Sequence, residues 1–133
     1  MDDPSNGKVS YWIDLAEYDL ETAKVMLNGG RYLYVGFMCH QTVEKALKAV
    51  ISADGTIPPK IHTLVRLAEL SGFSGTLTVE QNLLLDELFP LNIEARYPSD
   101  KEYLAQMLTK QKCDDFIVRT EAFLIWIKKK LSI

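Results

Sequence analysis

The chain has 133 residues, the size of one ordinary domain, with 47% hydrophobic and 25% charged side chains. This composition excludes a largely disordered chain, and no apolar stretch is long enough to cross a bilayer. A net charge of −3 argues against the broadly basic surface that binds duplex nucleic acid. We therefore predict a single cytoplasmic domain over residues 11–133, without membrane contact, after a flexible polar segment at residues 1–10.

The two cysteines, Cys39 and Cys113, lie far apart in the sequence. Their spacing matches neither a disulfide framework nor a set of metal ligands. We predict that both are reduced and partly buried, and the sequence indicates neither a metal site nor a cofactor.

Apolar residues recur every three or four positions in five stretches, while no alternating pattern typical of a strand occurs. The sequence therefore predicts an all-α protein, a four- to five-helix up-and-down bundle. The stretches cover approximately residues 12–28, 32–54, 63–70, 78–89 and 109–131.

Local signals mark the ends of several predicted helices. Thr78 is followed three positions later by Gln81, the pattern of a capping box. Pro90 should kink or end the fourth helix because its ring removes a backbone donor and clashes with the preceding turn. Lys128, Lys129 and Lys130 fall at the carboxyl end of the last helix, where the helix dipole explains them without a nucleic-acid partner.

Several polar residues occupy positions that require an explanation. Asp19 lies within the apolar stripe of the first helix, and we expect an interhelical ion pair, with orientation of a cation in a site as the alternative. His62 precedes the third helix and is predicted to have a structural role, such as accepting a hydrogen bond. His40 has no second ligand nearby in sequence and is assigned no chemistry.

A column of polar residues on the second helix is predicted to lie opposite its apolar face. Gln41, Glu44 and Lys48 form this column, with Phe37 one turn earlier. The column is either a surface salt bridge or a polar strip lining a groove, and Phe37 favours a partly covered strip.

The segment Arg96-Tyr97-Pro98 carries the strongest chemical signal of the chain. A residue that precedes proline is extended, and Pro98 suits the start of a further helical turn. A guanidinium held before such a break is oriented to bind phosphate or carboxylate. The alternative is an ion pair of Arg96 with Asp19 or Glu44 across the bundle.

The sequence resembles the HEPN family, the higher-eukaryote and prokaryote nucleotide-binding domains. The resemblance rests on the order and spacing of four segments that together span nearly the whole chain. These are Trp12 through Ala23, Gln41 through Ala49, His62-Thr63-Leu64, and Ala95-Arg96-Tyr97-Pro98.

This resemblance implies a helical bundle, commonly a homodimer, often paired with a small nucleotidyltransferase in a toxin-antitoxin-like system. Many members cut RNA without metal, using Arg followed after four to six residues by His. In a toxin subgroup the partner attaches nucleotide to a Tyr two positions beyond that His. Arg96 and Tyr103 match the Arg and the Tyr, but Lys101 occupies the position of the His. Lysine is almost entirely protonated near neutral pH, so it cannot act as the base that the His provides.

We therefore predict a module that binds nucleotide, RNA or a nucleotidyltransferase, without turnover. A metal-independent ribonuclease toxin is the alternative from the enzyme class, with Lys101, His62 or the second subunit replacing the missing His. A purely structural subunit is the third interpretation. The predicted binding residues are Arg96, Lys101, Lys48, Glu44, Gln41 and Asp19, with Arg96 and His62 as weak catalytic candidates and Tyr103 as a modification site.

Overall fold

The computed structural model describes residues 8–133 and confirms the all-α class. Residues 1–7 of the predicted flexible segment lie outside the described residues, and the first helix begins at Val9. None of the described helices has the length and apolar character needed to cross a membrane. The six helices are α1 (Val9–Asn28), α2 (Tyr32–Ile51), α3 (Leu64–Ser71), α4 (Val79–Leu88), α5 (Pro98–Met107) and α6 (Lys110–Lys130).

Helix α2 is the central element of the bundle. It packs most extensively against α1 and also contacts α6 and α3. The connection between α1 and α2 is only three residues long, which favours antiparallel neighbours. Because α2 is covered on several sides, twelve of its twenty residues are buried, including polar ones.

The predicted helix ends are largely confirmed. Thr78 accepts a hydrogen bond from the backbone N–H of Gln81, whose side chain accepts one from the Thr78 N–H, and this completes the capping box. Helix α4 ends at Leu88, and Pro90 lies in a 3₁₀ turn, Phe89–Leu91. A single helical turn was expected to start at Pro98, but helix α5 is ten residues long. None of its residues is buried, so the sequence has no amphipathic pattern there.

Gly36 brings α2 close to the turn that contains Pro90. A Cβ atom at Gly36 would lie 2.9 Å from Cδ1 of Leu91 and 3.3 Å from Cδ1 of Leu108. A larger residue would therefore require the side chain of Leu91 to shift. This close approach fixes the Phe89–Leu91 turn against the helix that carries His40 and Glu44.

Candidate functional site

Arg96 is held by the backbone of the break after α4. Its Nε donates a hydrogen bond to the carbonyl oxygen of Pro90 at 3.1 Å, and Nη2 donates to the carbonyl oxygen of Phe89 at 3.2 Å. The guanidinium carbon also lies 5.5 Å from the centre of the Phe89 ring. The carbonyls near a helix end lack amide partners from a following turn, so the break both exposes these oxygens and orients Arg96.

The expected alternative for Arg96, an ion pair with Asp19 or Glu44, is wrong. Asp19 instead forms an ion pair with Lys45 of α2, which confirms that its carboxylate is paired between helices. In residues 8–133, no carboxylate lies within ion-pair distance of Arg96. The guanidinium is thus a fixed positive charge whose remaining N–H groups are available to a ligand.

Arg96 faces a cavity of about 320 Å³ between α2, the segment before α3, and the connection from α4 to α5. The volume is within the usual range for small-ligand sites, about 300–1,000 Å³. The arrangement brings Arg96 and His62 together although they are separated by more than thirty positions in the sequence. The cavity is lined by His40, His62, Thr63, Phe89, Asn92 and Arg96.

Glu44 organises the polar groups behind this cavity. Its Oε2 lies 3.2 Å from Nζ of Lys48 and 3.1 Å from Nδ1 of His62. A carboxylate accepts hydrogen bonds, so Nδ1 of His62 carries the proton and donates it. The expectation that His62 accepts a bond is therefore wrong for this nitrogen, and in the neutral ring the lone pair lies on Nε2.

The polar column of α2 does not lie on a solvent-exposed face. Glu44 and Lys48 are only 3% and 5% exposed, so the surface salt-bridge interpretation is wrong and the covered strip is correct. The ammonium group of Lys48 also lies 5.5 Å from the centre of the Trp12 ring on α1. An amphipathic helix at a protein surface has a solvent-exposed side, but α2 is enclosed by its neighbours. Its buried charges, Glu44 and Lys48, are consequently paired with each other.

His40 lines the cavity, although the sequence interpretation assigned it no chemistry. It is 1% exposed, and its Nδ1 lies 3.5 Å from Nε2 of Gln41 and 3.9 Å from Oε1 of Glu44. Burial lowers the pKa of His40 to about 4, since the Glu44 carboxylate compensates only in part. His40 is therefore neutral at pH 7. Its position four residues before Glu44 was the one available signal.

Gln41 lines a second cavity of about 260 Å³ that shares His62 and Asn92 with the first and also contacts Glu94. Gln41 is half-buried and Glu94 is exposed. The two cavities thus adjoin, with Arg96 at one and Glu94 at the other. Glu94, which belongs to the same segment as Arg96 but was not among the predicted binding residues, is therefore part of the candidate site.

The remaining predicted site residues lie on α5. Lys101 is half-buried and Tyr103 is 63% exposed. Neither is among the residues that line the two cavities. The structure therefore brings Arg96, His62, Gln41, Glu44 and Lys48 into one region and leaves Lys101 and Tyr103 on the neighbouring helix.

Cys39 and Cys113 are both buried and unbridged, as predicted. Across residues 8–133, no group of three or more His, Cys, Asp or Glu side chains is arranged to hold a metal ion. The groups that the cavities offer are a fixed guanidinium, two imidazoles, amides and a carboxylate.

Fold and site together define an all-α bundle with a positively charged cavity at a helix break. Residues 9–131 match the family model of the HEPN domain, and the chain therefore belongs to the HEPN domain family. No match was found among curated proteins.

Two solved structures are similar to this chain over nearly their whole length. The crystal structure of ST0689, an archaeal HEPN homologue, shares 26% sequence identity, with a TM-score of 0.64 over 93% of this chain and 98% of that one. The crystal structure of TT1696 from Thermus thermophilus shares 22% identity, with a TM-score of 0.69 over 92% of this chain and 97% of that one. At 22% identity, the similarity to TT1696 supports the fold and nothing further.

Proposed function

We propose that this HEPN-domain protein is a binding module for the phosphate of RNA or of a nucleotide, and that the phosphate binds at Arg96. The observation that carries this proposal is the guanidinium that faces a cavity of about 320 Å³ and, among the described residues, has no carboxylate partner. A cationic group with a planar array of donors is suited to phosphate oxygens.

The surroundings of Arg96 favour a single-stranded or mononucleotide ligand. The cavity offers Thr63 and Asn92 for hydrogen bonds and the ring of Phe89 for apolar contact. A chain of net charge −3 lacks the extended basic surface for duplex binding. Lys101 adds positive charge on α5, whereas Glu44 and Lys48 support His62 from within the bundle.

Calorimetric titration of ATP and of a short single-stranded RNA tests this function. Arg96→Ala should weaken binding at least about tenfold, as expected for loss of charge-assisted hydrogen bonds. Arg96→Lys, which keeps the charge and loses the planar donors, should show an intermediate loss. Arg66→Ala is the matched control, because Arg66 is exposed and forms its ion pair with the nearby Glu69.

The purely structural interpretation makes a different prediction for the same variants. Arg96 donates to two backbone carbonyls, so its removal also loosens the break after α4. If Arg96→Ala lowers the melting temperature while the folded fraction binds both ligands with unchanged affinity, the binding role of Arg96 is wrong.

Metal-independent RNA cleavage is the second candidate function, and the bond between Glu44 and His62 favours it. With the Nδ1 proton directed to a carboxylate, Nε2 of His62 can accept the proton of a ribose 2′-hydroxyl. The 2′-oxygen would then bond to the adjacent phosphorus, the 5′-oxygen would leave and take a proton from the imidazole, and a 2′,3′-cyclic phosphate would result.

The ribonuclease candidate is tested with RNA in the presence of a chelator. Cleavage by the wild type that ends in cyclic phosphate and is abolished in His62→Gln would support it. His62 is a suitable position for substitution because its side chain is 63% exposed. RNA that remains intact with a folded wild-type preparation would exclude cleavage and leave phosphate binding as the function.

We extend the proposal to the partners that the family resemblance suggests, a homodimer and a small nucleotidyltransferase. Tyr103 is 63% exposed, so its hydroxyl is accessible for attachment of a nucleotide with loss of pyrophosphate. Mass spectrometry after co-expression with a nucleotidyltransferase should show one added nucleotide in the wild type and none in Tyr103→Phe. Tyr18→Phe is the control, since Tyr18 is 73% exposed on α1.

A further inference from the structure

The cavity that adjoins the Arg96 site differs from it in charge. Its lining consists of Gln41, His62, Asn92 and Glu94. Glu94 lies in the 3₁₀ turn Ile93–Ala95 and brings a carboxylate to this cavity, whereas Arg96 lines the other. A negative charge at this point disfavours a second phosphate, so this cavity suits a neutral part of a ligand that has N–H groups to donate.

The orientation of Gln41 strengthens this acceptor character. Nε2 of Gln41 lies 3.5 Å from Nδ1 of His40. In the tautomer of neutral His40 that carries its proton on Nε2, Nδ1 accepts from this amide nitrogen, which leaves the amide oxygen of Gln41 to accept from a ligand. The amide of Gln41 and the carboxylate of Glu94, which line the same cavity, thus offer acceptor oxygens to one ligand.

Among the RNA bases, guanine best matches such a set. Its Watson–Crick edge presents N1–H and an N2 amino group side by side, and a carboxylate can accept from both at once. Adenine and cytosine present one amino group beside an acceptor nitrogen, and uracil presents one N–H between two carbonyls. The latter three edges would each place an acceptor against Glu94.

We propose that the cavity formed by Gln41, His62, Asn92 and Glu94 is a base-binding subsite selective for guanine, next to the phosphate site at Arg96. This inference rests on the proposed phosphate-binding function, because it assigns the two ends of one nucleotide. The shared residues His62 and Asn92 lie between the two ends. A free nucleotide and an RNA strand present the same guanine edge, so the experiment tests both as the source of the ligand.

The test is calorimetric titration of the full chain with 3′- and 5′-mononucleotides of guanine, hypoxanthine, adenine, cytosine and uracil. Short RNAs that differ only in one central base form the second arm. Guanine should bind at least about tenfold more tightly than hypoxanthine, which lacks the N2 amino group, as expected for loss of one bond of a bidentate pair. Glu94→Gln should reduce this ratio to near one.

A matched control separates the site from a general change of charge. Glu102→Gln removes one exposed carboxylate on α5 outside the two cavities and should preserve the preference for guanine. Glu94→Asp, which keeps the carboxylate on a shorter side chain, should retain a reduced preference.

Failure of this inference is distinguishable from failure of the proposed function. If all bases bind equally, with equal loss in Arg96→Ala, the phosphate site stands and the guanine subsite is wrong. If neither the mononucleotides nor the RNAs bind at millimolar concentration, both are wrong. If only the RNAs show the preference for guanine, the subsite stands and its source is an RNA strand.

Discussion

Nδ1 of His62, on a mostly exposed ring before α3, lies 3.1 Å from the Glu44 carboxylate on α2, which is only 3% exposed. Glu44 is also 3.2 Å from Nζ of the buried Lys48. The buried Glu44 carboxylate therefore contacts a residue that lines the cavity, His62. The stability of the bundle and the orientation of His62 therefore depend on the same carboxylate.

Glu44→Gln should lower the free energy of unfolding by about 3 kcal/mol or more, because it leaves the buried ammonium group of Lys48 without its counter-charge. Lys48→Met should restore part of this loss in the double variant, since the apolar side chain retains the contact with Trp12. Urea unfolding of the wild type, both single variants and the double variant measures the coupling. Strictly additive costs would contradict a buried ion pair.

His40 should make the protein less stable in mild acid. The unfolded chain has an ordinary histidine pKa of about 6.5, whereas burial lowers the pKa of His40 in the folded protein to about 4. Between these values the unfolded state binds more protons, so stability falls as the pH falls and is retained above pH 6.5. From pH 7 to pH 4.5 this residue should cost about 2 kcal/mol.

The measurement for His40 is urea unfolding at pH 7 and pH 4.5 in the wild type and in His40→Gln. The variant should lose about 2 kcal/mol less than the wild type over this interval. An unchanged pH dependence in His40→Gln would contradict the assignment to His40.

The two thiols should be unreactive in the folded protein. Burial raises the pKa of Cys39 to about 12 and that of Cys113 to about 11, and each residue is 0% exposed. Because the thiolate is the reactive form, alkylation at pH 8 should be negligible in buffer and should reach two thiols in denaturant. Fast labelling of either thiol in buffer would show that the α2–α6 contact opens readily.

The capping box of α4 can be tested apart from the site. Thr78→Ala removes the acceptor for the Gln81 N–H and should lower the free energy of unfolding by about 1 kcal/mol. Thr78→Ser retains an acceptor oxygen and should have a smaller effect. Thermal or urea unfolding compares the two, and equal losses would mean that the methyl group of Thr78 is responsible.

Local features of the chain were predictable because their causes lie within a few residues. The Thr78–Gln81 cap, the interruption at Pro90 and the helix start at Pro98 all follow from the backbone chemistry of neighbouring positions. The length of helix α5 was predicted too short, since only its first turn was expected. It buries no residue, so it lacks the apolar stripe that reveals a helix in sequence.

Long-range contacts were not predictable from periodicity. The helical spacing of Glu44 and Lys48 was read correctly, but the preference for a partly covered strip over a surface salt bridge rested on Phe37 alone, because burial depends on which helices surround α2. His62 was named as one candidate to replace the histidine missing after Arg96, but only the structure shows that His62 and His40 line the same cavity as Arg96.

The sequence by itself determined the all-α class, most helix ends and the HEPN resemblance, since these depend on local spacing and on motifs that can be read in order. Only the tertiary structure decided the partners of the charged residues. Asp19 pairs with Lys45, Glu44 with Lys48 and His62, and Arg96 with two backbone carbonyls. The physical reason is that a hydrogen bond or an ion pair requires contact at about 3 Å, and packing of whole helices sets such distances.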